Sequence, residues 1–177
     1  FRFPDSEVGR NDNNGQYYVI IRFKRTLKRG TIMRRFKATV IGSFHTSFPK
    51  IKELVLFLQE KGIEVVFPKP TEVIDATVSF PLLASDGTTN PLDLEQSVFD
   101  AITESDIVCI VAKPDGSIGL SAAVEFGWAL SNNKLVFVLV SEETEELLLH
   151  MFAIVVRSPD RIVRRIDKVI ADLYWPR

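Results

Sequence analysis

From residue 115 the chain reads DGSIGLSAAVEFGWALSNN, and between Asp115 and Lys134 it holds one charged side chain, Glu125. The small residues Gly119, Ser121 and Gly127 stand around it in a stretch otherwise rich in Ala, Val, Phe, Trp and Leu. If a helix starts between Ser117 and Ser121, Glu125 falls on its first or second turn and points at a crevice there. The helix dipole favours a carboxylate at that end by up to about 1 kcal/mol, whereas apolar neighbours disfavour its charge, which leaves an ionised or poised acid in a dry site. Such a group can attack an electrophilic sugar carbon or serve as a general base. A glutamate in a first helical turn also suits a surface dipole or capping role, and spacing alone leaves both uses open. Gly127, beside the large Trp128, is expected to let the helix approach the sheet closely. Ser43, Ser117 and Ser121, with the N–H groups of the glycine-containing loops, could hold hydroxyl or phosphate groups of a ligand. GSFH and DGSIG match neither a P-loop nor the three-glycine dinucleotide fingerprint.

These residues need elements to position them. KATVIG (37–42) is a β-branched run ending in Gly42-Ser43, and PKIKELVLFLQEKG (49–62) has apolar residues at helical spacing, with Pro49 suited to a first turn and Gly62 to a C-cap. IEVVFP (63–68) is a second strand. Residues 69–92 carry no clear period and form the longest irregular stretch, of the kind that often covers a site. A helix follows over 92–105, with Leu94, Val98, Ala101 and Ile102 on one face, then the strand DIVCIVAK, the helix SAAVEFGWALSNN and the strand KLVFVLV. EETEELLLH is a short helix with acids at its favoured end, MFAIVV a strand and PDRIVRRIDKVIADLYW the closing helix. Strands apolar on both faces and alternating with helices predict an α/β domain, a doubly wound five-stranded parallel sheet of flavodoxin-like or Rossmann-like type. Ligands of such sheets sit beyond the carboxyl ends of the strands, near the point where strand order reverses. The loops GSFHTS and KPDGSIGLS should face that crevice together.

A chain of 177 residues, 46% apolar and 25% charged, suffices for one compact domain with a real core. We take it as residues 33–177, with residues 1–32 as an N-terminal extension that is either native chain or an appended remnant. Within the extension, residues 5–16 are polar and read as loop or disorder, followed by an extra strand or hairpin. Residues 22–37 are strongly basic and could form a nucleic-acid arm, but their aromatic interleaving is thin, so solvated charges on that strand or hairpin are the expected reading. A net charge of −1 gives the whole molecule no pull toward nucleic acid or anionic membrane. No apolar run reaches the roughly 20 residues of a membrane span. A single cysteine, Cys109, excludes an internal disulfide framework and a cysteine-rich zinc site, points to a reducing, cytoplasmic setting, and is itself expected to be an inert core thiol. His150 and Asp106 are expected to be structural.

The string SDIVCIVAKPDGSIGLSAAVEFGWALSNNKLVFVL, preceded by VFDAITE and further upstream by ATVIGSF, resembles the nucleoside 2-deoxyribosyltransferase family and its nucleoside 5′-monophosphate N-glycosidase relatives. The shared pattern is a first strand ending in G-S-F, a helix leading into S/A-D-I-V, then D-G-x-x-G-x-S-x-x-x-E-x-G-x-A. It covers residues 37–140 as ordered blocks. The resemblance implies a glutamate nucleophile that attacks C1′ of a nucleoside or nucleotide, releases the base and leaves a glycosyl-enzyme ester for a second base or water. Glu125 matches the nucleophile, Gly42, Ser43 and Phe44 the segment lining the nucleoside or phosphate site, and Asp100 or Asp115 the acid handling the leaving base. Gly119 stands where transferases commonly carry an acid, and His45 where the monophosphate hydrolases commonly carry an arginine. The resemblance implies neither metal nor cofactor, a small-molecule nucleoside or nucleotide as partner, and a homo-oligomer. The alternative is a non-catalytic nucleotide-binding or sensing module on the same fold.

Overall fold

The computed structural model describes residues 36–69, 87–142 and 144–174, with the backbone alone beyond Lys168, and also the backbone of four short strands: β1 (Ser6–Arg10), β2 (Tyr17–Ile21), β5 (Val73–Asp75) and β6 (Leu82–Leu83). Between β2 and β5 come β3 (Lys37–Gly42), α1 (Phe44–Glu60) and β4 (Glu64–Phe67). After β6 the order is α2 (Pro91–Glu104), β7 (Ile107–Val111), α3 (Leu120–Ser131), β8 (Leu135–Leu139), α4 (Leu147–Phe152), β9 (Ile154–Val156) and α5 (Pro159–Tyr174).

The main sheet has five strands, all parallel, in the order β4-β3-β7-β8-β9. It is the doubly wound sheet that the alternation of apolar runs and helical periods predicts. Side chains alternate across it. Ile107, Cys109 and Val111 of β7 join Phe137, α1 and α5 in one core, while Val108 and Ile110 join α2, α3 and Leu149 of α4 in the other. The helices α1 and α5 therefore cover one face, and α2, α3 and α4 the other. Strand order reverses between β3 and β7, where Gly42 pairs with Val111 at the carboxyl ends.

Several boundaries differ from expectation. Helix α1 starts at Phe44, not Pro49, which becomes an internal residue. A helix start so close to β3 is possible because Ser43 already accepts the Ser47 N–H at 2.7 Å, and Pro49 removes one donor near the N-terminus. The α4 helix begins at Leu147 and takes in Met151 and Phe152, so the acids precede it. The Thr144 hydroxyl accepts the Glu146 N–H at 3.2 Å and holds that approach in a turn. Ser6–Arg10, expected as loop, is a strand paired antiparallel with Tyr17–Ile21, a partner that a local reading of polar residues does not reveal. Within the irregular 69–92 stretch, β5 and β6 pair antiparallel, and Asn90 caps α2 by accepting the Leu92 N–H at 3.1 Å. Gly62 ends α1 with φ 80°, as its C-cap position predicts. The basic residues from Arg22 to Arg35 lie outside the described residues.

Candidate functional site

The carboxyl ends of β3 and β7 meet through Gly42. Its φ is 153°, and a Cβ there would stand 2.6 Å from the Val111 carbonyl oxygen, so only glycine fits so close an approach. Ser43, the N-cap residue of α1, makes no capping bond with its side chain, and Phe44 and His45 form the first helical turn. Phe44 is half-buried against Phe48, at 5.9 Å between ring centroids, and Phe67, at 6.1 Å. His45 is exposed. The hydroxyl of the buried Ser47 donates to the Ala112 carbonyl at 3.4 Å and ties α1 to the loop after β7. GSFHTS and KPDGSIGLS therefore share one end of the sheet.

The second loop is held by its own aspartate. Asp115 Oδ1 accepts the Ser117 N–H at 3.0 Å and the Ser117 hydroxyl at 2.8 Å, and these bonds hold its carboxyl below the usual range. Gly119, half-buried with the Lys113 side chain 3.9 Å from where a Cβ would stand, is the N-cap residue of α3, Leu120 opens the helix, and Ser121 is exposed.

Glu125 is the sixth residue of α3, about 8 Å along its axis from Leu120. Its residue is only 7% exposed, beside Ala122, Phe126 and Ala129. No hydrogen bond from another described residue reaches its carboxylate. Burial, and then the charge of Glu95 on α2, push its pKa from 4.5 up to about 7. The seam between the two helices continues below this pair: Phe99 meets Trp128 edge-on at 5.5 Å, and Trp128 Nε1 donates to Thr103 Oγ1 at 3.2 Å. Glu95, Phe99 and Thr103 repeat every four residues, so they line one edge of α2 facing α3.

Asp100 does not join Glu125. It lies on the exposed side of α2, accepting from Gln96 Nε2 at 2.9 Å. Glu95 is the carboxylate whose charge reaches Glu125, and sequence reasoning missed it, because only the packing of α2 on α3 brings the two together. Gly127 does not serve a close approach to the sheet, because it is exposed and an added Cβ would meet nothing within 4 Å. Among the described residues no group of three or more His, Cys, Asp or Glu could hold a metal ion, and no helix is long and apolar enough to cross a membrane.

Fold and site together define a doubly wound α/β protein with a largely buried glutamate on the helix that follows its central strand β7. A conserved protein from Enterococcus faecalis V583 shares this fold with a TM-score of 0.53 and 15% sequence identity, over 76% of this chain and 99% of its own. The CMP N-glycosidase BcmB from Clostridium botulinum matches with a TM-score of 0.46 and 19% identity, over 75% of this chain and 98% of its own. No protein-family model matches the chain, and no curated protein sequence matches it significantly.

Proposed function

We propose that the protein cleaves the N-glycosidic bond of a nucleoside or nucleoside 5′-monophosphate, with Glu125 as nucleophile. The observation that carries this reading is a largely buried glutamate on the helix that follows the central strand, with no hydrogen-bond donor from the described residues on its carboxylate, which burial and the charge of Glu95 hold poised between its two protonation states. A glutamate kept there at the expense of desolvation has a chemical use more readily than a structural one. In the reaction a Glu125 carboxylate oxygen bonds to C1′ as the bond from C1′ to the base nitrogen breaks, the electron pair leaving with the base. Water or a second base then attacks C1′ and returns the carboxylate. Water gives hydrolysis and a base gives transfer.

Ser43, Phe44 and His45, at the start of α1, and Ser117, Gly119 and Ser121, at the start of α3, are the groups we assign to the sugar and any phosphate, since both helices begin at that end of the sheet, where the positive ends of their dipoles favour an anion. Asp115 suits this loop better as an acceptor than as a proton donor, because its bonds from Ser117 favour the ionised form. With Asp100 turned outward, the departing base is left to take its proton from solvent. Neither a metal nor a cofactor is needed for this chemistry, and assembly as a homo-oligomer in the cytoplasm accompanies the proposal.

The test is incubation of the chain and its Glu125→Gln variant with ribo- and deoxyribonucleosides and their 5′-monophosphates, with and without a free acceptor base, followed by chromatography of the bases. Base release or exchange by the parent alone is expected. Ligand binding without turnover by either protein would instead make the chain a nucleotide-sensing module.

A further inference from the structure

Helices α2 and α3 lie side by side on one face of the sheet and run the same way, since each leads back to the amino end of a parallel strand. Their C-terminal ends are tied together. The Trp128 indole N–H donates to Thr103 Oγ1 at 3.2 Å, and the Thr103 hydroxyl donates in turn to the Phe99 carbonyl at 2.8 Å, so one hydroxyl is used in both directions. Lys134, just past the end of α3, donates through Nζ to the carbonyls of Thr103 and Ser105, both at 2.6 Å, and closes the end of α2. The Trp128 carbonyl accepts from Ser131 Oγ at 2.8 Å and from Asn132 Nδ2 at 2.9 Å.

Among the described residues, the bond from Trp128 to Thr103 is the one hydrogen bond that runs from a residue of α3 to a residue of α2. Water could serve the N–H of a side chain that is 44% exposed, yet it is used across the seam. Glu125 stands three residues before Trp128, about 4.5 Å along α3, and Glu95 stands about two turns before Thr103 on α2. The level of one carboxylate against the other is therefore set from the far ends of the helices. From α2, Glu95 is the charge that reaches Glu125. Beneath α3 the strands β7 and β8 contribute Val108, Ile110, Val136 and Val138 to the shared core, and α4 contributes Leu149, none of which ionises.

We propose that Thr103 and Trp128 are positioning residues for Glu125: their hydrogen bond sets how closely α2 packs on α3, and with it the distance of the Glu95 charge and the exclusion of water around the Glu125 carboxylate. The value of this arrangement to catalysis rests on Glu125 as nucleophile. The packing claim does not, and its test needs no substrate.

The test follows the side-chain carboxyl NMR resonance of Glu125 against pH in the full chain carrying isotope-labelled glutamate, the signal being assigned by its loss in Glu125→Gln. Thr103→Val keeps the shape and removes both bonds, Thr103→Ser keeps both, and Trp128→Phe keeps the ring contact with Phe99 and loses the N–H. Both positions are exposed, so the melting transitions should persist. Thr103→Val and Trp128→Phe should lower the titration midpoint of Glu125 by about half a pH unit or more, because a looser seam admits water and moves Glu95 away, while Thr103→Ser stays with the parent. With Glu95→Gln already in place, the drop caused by Thr103→Val should shrink. An unmoved midpoint in folded Thr103→Val and Trp128→Phe would overturn the proposal. So would an equal drop in Thr103→Ser, which would trace the effect to bulk and not to the hydroxyl, or an undiminished drop beside Glu95→Gln, which would leave Glu95 no part in it. In a chain that turns over substrate, the rising limb of kcat/KM should move down the pH axis with the midpoint. A moved midpoint without turnover in the parent would uphold this inference and count against the chemistry proposed for Glu125.

Discussion

Glu125 costs the fold stability in proportion to its ionisation. Its folded pKa of about 7 lies above the ordinary 4.5, so between these values the folded chain keeps a proton that the unfolded chain has lost. Stability therefore falls as pH rises through this window, and the penalty is complete above pH 7, at about 3 kcal/mol from ~1.4 kcal/mol per unit. Glu125→Gln has no such proton. Its unfolding free energy relative to the parent should rise by about 2–3 kcal/mol between pH 4.5 and 8 in parallel urea titrations, and identical pH profiles would show that the carboxylate is hydrated. If Glu125 is the nucleophile, the same value should shape catalysis. The kcat/KM of the parent should climb with pH to a plateau just above 7, Glu125→Gln should lose at least about 10³-fold in turnover, and Glu95→Gln should move the climb to lower pH by removing the second cause of the shift.

At the scale of the elements, the junction of β3 with α1 is where sequence and backbone are most tightly matched. Gly42→Ala puts a methyl 2.6 Å from the Val111 carbonyl at φ 153° and should cost about 2–3 kcal/mol in denaturant unfolding. Asn90→Ala, which removes only the cap of α2, should cost about 1 kcal/mol. The strands and most helices were legible because their apolar residues repeat with the period of each element, as at Leu94, Val98, Ala101 and Ile102, all buried. Boundaries were not, wherever a single hydrogen bond decides them: Ser43 starts α1 ahead of Pro49, and Thr144 delays α4. Glu125 was legible as the only charge in an apolar helix. Its neighbour was not, since Glu95 comes close only through the packing of α2 on α3, a contact no local spacing encodes, and Asp100 looked equally available until the face of α2 was known.

The whole molecule depends on a sheet packed from both sides, and Phe137, fully buried at the middle of β8, sits in the core under α1 and α5. Phe137→Ala should cost about 3–5 kcal/mol, a large part of the 5–15 kcal/mol typical of a domain, and lower the denaturant midpoint accordingly. The charged layer of α5 and the apolar layer of α3 and α4 give the molecule two unlike sides, so any partner that prefers dry contact has one side to choose. Trp128 stands on that side, against Phe99, with its indole N–H bonded to Thr103 and Glu125 just under one turn away. The chain thus carries its own optical probe: with Trp175, the other tryptophan, replaced by phenylalanine, the emission colour of Trp128 would register water leaving the α3 face, and its intensity the ionisation of the carboxylate above it.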